Sequence, residues 1–391
     1  MASAVDWPQF RGPNRDGTSP ETGLMKQWPQ AGPAELWSCD GLEVGFSSVA
    51  VVDNVVYTCG MVGNQGYLFA FDSEGNLKYK VNYGPEWAKA GNHPGARTTP
   101  TVDSDRLYLM SGQGRVACYN TADGQPVWHV DTLEKFGGRN LRWGIAESVL
   151  IDADKVICTP GGRNATMVAL DKETGQTVWT SRGLSQLSAY CSPVLVERGG
   201  RRLILTLVEK AFVGIDADTG QVCWEVPHKV SYGIQAVSPL YKDGMTFISN
   251  GYHHGSHGYL LSPDGSGVER KWSERSLDIQ HGGAVLVDGQ VHGANTRGDW
   301  ICLNLTTGKV AFSDKLVGKG SVIAVDGMLY GYGENGGRVA LIKVNREGYE
   351  LVSSFRITKG GGEHWAHPAI SNGRLYVRHG DALMCFDIKA K

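Results

Sequence analysis

The chain has 391 residues, 41% of them hydrophobic, with 53 glycines and 38 basic against 40 acidic side chains. The formal charge of −2 gives no general electrostatic reason to bind nucleic acid or an anionic membrane. No apolar run approaches the ~20 residues of a membrane-spanning helix, and the hydrophobic content suits a packed core rather than a disordered chain.

In chain order, residues 1–35 read as an N-terminal extension whose first residues, MASAVD, contain no apolar signal-peptide core. A single strand follows, read from AELWSC with Trp37 and assigned to the segment 36–40. From Ser47 the chain repeats. A strand, a tight Asp/Gly turn and a second strand begin near Ser47, Thr99, Glu147, Ser192, Ser238, Gly283, Ser321 and His367. Behind most of these comes a second hairpin whose last strand ends in an aromatic residue: Tyr79, Trp128, Trp179, Trp224 and Phe312. Trp272 and Phe355 take that place in the fifth and seventh units, where the preceding turns (Ser262–Gly267, Asn345–Gly348) are altered. Helices should be few, because no long apolar stretch has a 3.6-residue period.

Eight four-stranded units predict an all-β, eight-bladed β-propeller. The blades fall at roughly 45–83, 97–130, 144–181, 189–226, 235–274, 281–313, 320–356 and 366–391. The last unit lacks its outer strand, so residues 36–40 are expected to complete it and close a single ring. Much of the glycine is then turn glycine. The eight cysteines lie largely in strands; Cys118, Cys302 and Cys385 share a repeat position held elsewhere by Ala70, Ala169 and Gly214, so reduced packing residues are expected rather than disulfides.

The aromatic-ended unit, as in ALDKETGQTVW and GIDADTGQVCW, resembles the tryptophan-docking repeat of the PQQ-like β-propellers. That superfamily includes the quinoprotein alcohol dehydrogenases and the outer-membrane assembly protein BamB. The segment WPQFRGPNRDG, Trp7 to Gly17, looks like the start of a bacterial PQQ-binding-like or polyvinyl-alcohol-dehydrogenase-like subgroup. The resemblance covers essentially the whole chain and implies a periplasmic or secreted protein. The dehydrogenases resemble one another in an adjacent cysteine pair and in Glu, Asn and Asp ligands to calcium. This sequence has no adjacent cysteine pair, so PQQ is not expected. The likeness to BamB implies a rival reading, a non-catalytic protein-binding scaffold.

The two faces of such a ring are chemically unequal. The loops joining the first to the second and the third to the fourth strand of each blade are plain turns. The opposite loops carry eight of the 11 histidines. Residues next to the start of each innermost strand point at the central funnel, which predicts a polar ring of Arg97, Glu147, Tyr190, Gln235, His281, Lys319 and His367. Such a ring is costly to bury without partners and is the natural ligand site; the alternative is that these groups pair with one another and with water.

Acid–base chemistry is expected of His281, His367, Tyr190 and Glu147. Arg97, Lys319 and Arg378 suit negative charge. Trp143 beside Arg142, and Trp365 beside Glu363 and His364, suit the apolar face and hydroxyls of a sugar, with Gln235 as a further binding residue. His253, His254 and His257 form a candidate divalent-metal triad. The expected function is binding of a carbohydrate or polyol with lyase- or hydrolase-type chemistry by a monomer. PQQ-dependent alcohol oxidation and scaffolding are the alternatives.

Overall fold

Short strands dominate the computed structural model, which describes residues 5–390. They form eight sheets, each with four antiparallel strands and one carrying a short fifth, the blades of a β-propeller. Blade one runs through Ala50–Val52, Val55–Val62, Gln65–Phe71 and Leu77–Pro85, and the next six repeat that meander. Blade eight combines Ala369–Ser371, Arg374–His379 and Ala382–Asp387 with Ala34–Cys39, which pairs antiparallel with Ala382–Asp387. The ring is therefore closed by the N-terminal strand. Among the described residues helix is confined to Thr132–Phe136 and a single 3-10 turn, Ser231–Gly233. Neither is long and apolar enough to cross a membrane. All eight cysteines are free, and six are buried.

The repeated aromatic residue fastens each blade to the next. In the turn between the last two strands, the carboxylate of Asp171 accepts from the backbone N–H of Glu173 and Thr174, which fixes the loop. The carbonyl of Lys172 then points at the preceding blade and accepts the Trp128 indole N–H at 2.9 Å. Trp37, Trp179 and Trp272 donate in the same way to Ser73, Ala217 and Leu305, at 2.9, 3.0 and 2.8 Å. The turn glycine lies under the ring. A Cβ on Gly220 would come within 2.6 Å of Trp179, and its φ of +73° already favours glycine. Trp224 is the exception: it faces the altered turn of blade five, and its buried indole N–H has no partner.

The N-terminal extension is an axial plug. Trp7 exchanges backbone hydrogen bonds with Val51 of blade one, and Pro8 accepts from Val102 of blade two. Arg15 donates to the carbonyls of Ser148 and Val149 in blade three, at 2.6 and 2.9 Å. Arg11 donates to Ala284 in blade six, and Thr18–Ser19 pairs parallel with Gly320–Val325 of blade seven. Arg11 and Arg15 are 4% and 3% exposed, so two cations lie on the axis with backbone carbonyls as their partners.

Candidate functional site

Above the plug the funnel opens into a cavity of about 420 Å³, with Phe10 among its lining residues. Its wall is built from segments that lead into the innermost strands, because these converge on the axis. They contribute Phe46, Arg97, Trp143, Tyr190, His281, Lys319, Trp365 and His367. Tyr252 and Glu334 enter from loops between the second and third strands of blades five and seven.

Glu334 organises one side. Its carboxylate lies 2.7 Å from the Lys319 ammonium, accepts the Trp365 indole N–H at 2.8 Å, and lies 3.7 Å from Nε2 of His281. Burial pushes this carboxyl up, but His281, Lys319 and Trp365 together hold it below the ordinary value, so it is ionised. Burial, reinforced by Lys319, holds His281 below the ordinary imidazole range and keeps it neutral despite Glu334. His367 is pushed down to about 3 by burial and by Arg11. Its Nε2–H donates to the His281 carbonyl at 3.0 Å, which fixes the tautomer and leaves Nδ1 unprotonated.

The other side is aromatic and cationic. Trp143 and Tyr190 meet at 6.1 Å between ring centres, and burial pushes the Tyr190 phenol up to about 12. The Arg97 guanidinium sits 5.2 Å over Phe46 and donates to the carbonyls of Asn92 and His93; its Nε has no partner. Burial lowers its pKa to about 10, which leaves it charged at neutral pH. Beside it a wholly buried carboxyl, Glu86, accepts from Tyr83 and from the backbone N–H groups of Trp87 and Gly112. Burial pushes Glu86 up to about 6.

The expected ring is thus present in part. Arg97, Tyr190, His281, Lys319 and His367 line the cavity with Trp143 and Trp365. Glu147 and Gln235 do not: both are wholly buried, Glu147 accepting from the Thr159 N–H and Gln235 donating to the carbonyls of Val208, Glu209 and His228. Arg378 is also turned inward, 1% exposed, with carbonyls of Ser47, Cys59 and Gly380 as acceptors, so it offers no cation to the funnel. Arg142 is exposed and lies 4.8 Å over the Trp143 ring. Glu363 meets His93 at 2.8 Å beyond the rim, and His364 stacks on His379 at 3.7 Å while bonding the Tyr332 hydroxyl. His253, His254 and His257 do not converge. His253 is 90% exposed at its side chain, His254 accepts from the Ser231 N–H, and His257 bonds the Ser273 hydroxyl. Among the described residues no group of three His, Cys, Asp or Glu is placed to hold a metal. The sequence places Glu334 on a loop of this face but assigns it no role, and it singles out none of Phe10, Phe46 and Tyr252.

The model of the family described as outer membrane protein assembly factor BamB matches residues 34–314. The chain belongs to that family. Among solved structures, this BamB-family propeller is similar to BamB from Moraxella catarrhalis, with a TM-score of 0.66 and 17% identity over 92% of this chain and 99% of that one. It is also similar to the quinohemoprotein alcohol dehydrogenase from Comamonas testosteroni, with a TM-score of 0.72 and 12% identity over 99% of this chain and 81% of that one. At such identities the likeness is one of fold. A search of curated proteins finds no match. The donor set does not suit a calcium-bound quinone. Glu334, the carboxylate of the cavity wall, is engaged by Lys319 and Trp365, and no cysteine lines the cavity.

Proposed function

We propose that this BamB-family propeller binds a carbohydrate or polyol in its axial cavity and acts on it by acid–base chemistry. The observation that carries this reading is a cavity walled on one side by Trp143 and Tyr190 and on the other by the Trp365–Glu334–Lys319–His281 cluster. A sugar ring offers apolar C–H faces to the indoles and hydroxyls to the charged groups. The neutral His281 imidazole is the proton acceptor in this scheme. Glu334 stabilises the imidazolium that forms, and Tyr190, which keeps its proton to about 12, is the donor across the cavity. Reactions of the lyase or hydrolase type use this set. Glu147, wholly buried, acts in this reading by supporting the wall, and His367, whose Nε2–H is held by the His281 carbonyl, fixes the position of His281 and lines the cavity itself.

The family name favours a second reading, a protein-binding scaffold acting at the outer membrane, and on that likeness we place the protein in the periplasm or outside the cell. Thermal shift of the full chain against neutral sugars, uronates and PQQ with Ca²⁺ separates the readings. A shift by sugars that is lost in Trp365→Ala and His281→Ala supports the first. No shift by any sugar or uronate overturns it, and a shift by PQQ with Ca²⁺ would restore the quinone.

A further inference from the structure

We infer that the axial cavity is one end of a longer site, whose ligand is an oligosaccharide with a neutral or amine-bearing unit lodged at the junction of blades one and eight. This rests on the carbohydrate reading above. A second cavity, of about 550 Å³, lies at that junction, walled by Glu43, Phe46, His93, Glu363 and Asp381 over glycine-rich loops. Phe46 and His93 line both cavities, so the two spaces share a wall. His93 in that wall contacts Glu363 of the second cavity at 2.8 Å, through side chains that are 42% and 39% exposed. Trp365, the indole that faces the axial cavity, lies 4.7 Å from the His93 ring and 5.1 Å from Phe46. A chain held against Trp365 is therefore beside the wall shared with the second space.

The two chambers differ in charge. Arg97 and Lys319 line the axial one, whereas Glu43, Glu363 and Asp381 line the outer one, and no Lys or Arg does. A uronate or sulfated unit there would face like charge. A neutral sugar finds hydrogen-bond acceptors, and an amino sugar finds opposite charge as well. The glycines leave the room: a Cβ on Gly361 meets nothing within 4 Å, and its φ is not left-handed, so a bulky side chain can be placed there without backbone strain.

The test is calorimetric titration of the full chain with cello-, malto- and chito-oligosaccharides of one to four units, on the wild type, Gly361→Trp and Asp381→Arg. In one series affinity should rise at least tenfold from one to three units. Gly361→Trp and Asp381→Arg should each remove that gain while leaving monosaccharide binding within about twofold. Monosaccharide binding with no length dependence, or a gain that survives both substitutions, overturns this inference and leaves the axial site standing. Failure of every length to bind overturns the carbohydrate reading and this inference together.

Discussion

His281 lies between a cation and an anion, so removing each should move its protonation in opposite directions. Glu334 Oε2 is 3.7 Å from His281 Nε2 and 2.7 Å from the Lys319 ammonium. In Lys319→Met the imidazole keeps the carboxylate and loses the cation. Glu334, at 3.7 Å from His281 and with an effective dielectric constant of about 20, acts on the imidazolium with on the order of 4 kcal/mol, the amount that Glu334→Gln removes. That is roughly a thousandfold in the imidazolium population at fixed pH, an upper bound because Lys319 and Glu334 are each about one-fifth exposed. Glu334→Gln does the reverse. The imidazole then faces Lys319 alone, and its titration moves further below the ordinary range. Histidine-labelled protein followed by ¹⁵N NMR from pH 2.5 to 9 reads both, with the His281→Ala spectrum assigning the resonance. If the two variants shift His281 in the same direction, or neither shifts it, the electrostatic account of the cluster is wrong.

Two further predictions concern the scaffold. Glu147 is wholly buried, and burial pushes its carboxyl from 4.5 up to about 8. The unfolded chain ionises this group above 4.5 while the folded chain keeps the proton, so stability falls as pH rises from about 5 through 8, by on the order of 5 kcal/mol in full. Glu147→Gln keeps an acceptor for the Thr159 N–H and should flatten that slope in urea midpoints measured at pH 5 and 8.5; parallel slopes would contradict it. Trp179→Phe removes a 3.0 Å hydrogen bond and strands the Ala217 carbonyl, at a cost of about 1–2 kcal/mol beyond lost packing. Trp224→Phe, at a residue whose indole N–H has no partner, should be milder by that amount; equal losses of stability would refute the docking role.

What was legible in the sequence was local. The Asx turn, its glycine, the aromatic that ends the same repeat and the hairpin alternation all fall within about a dozen residues of one another, whereas the stacking of a ring on the next blade's glycine, as of Trp179 on Gly220, spans about forty. The closing strand was legible because the eighth unit lacked its outer strand and AELWSC supplied one. The plug was not, since Arg15 finds its acceptors at Ser148 and Val149, more than 130 residues away. Position before an inner strand identified the axial ring but not side-chain direction. Glu147 and Gln235 turned to backbone partners in the core, and Arg378 was drawn into a set of carbonyls. The histidine triad failed for a related reason. His253 sits in a left-handed loop at φ +66°, whereas His257 lies within the strand Gly255–Leu261, so close spacing did not bring the rings together.

The central claim is that a carbohydrate occupies the axial cavity against Trp365. The indole N–H of Trp365 donates to Glu334 in the wall of that cavity, while the indole N–H of Trp179 is buried between blades three and four. Both give separate ¹H–¹⁵N resonances. Titration with the sugar that produces the largest thermal shift should move the Trp365 resonance and leave Trp179 in place. A Trp365 resonance that stays fixed at saturating sugar would contradict the account.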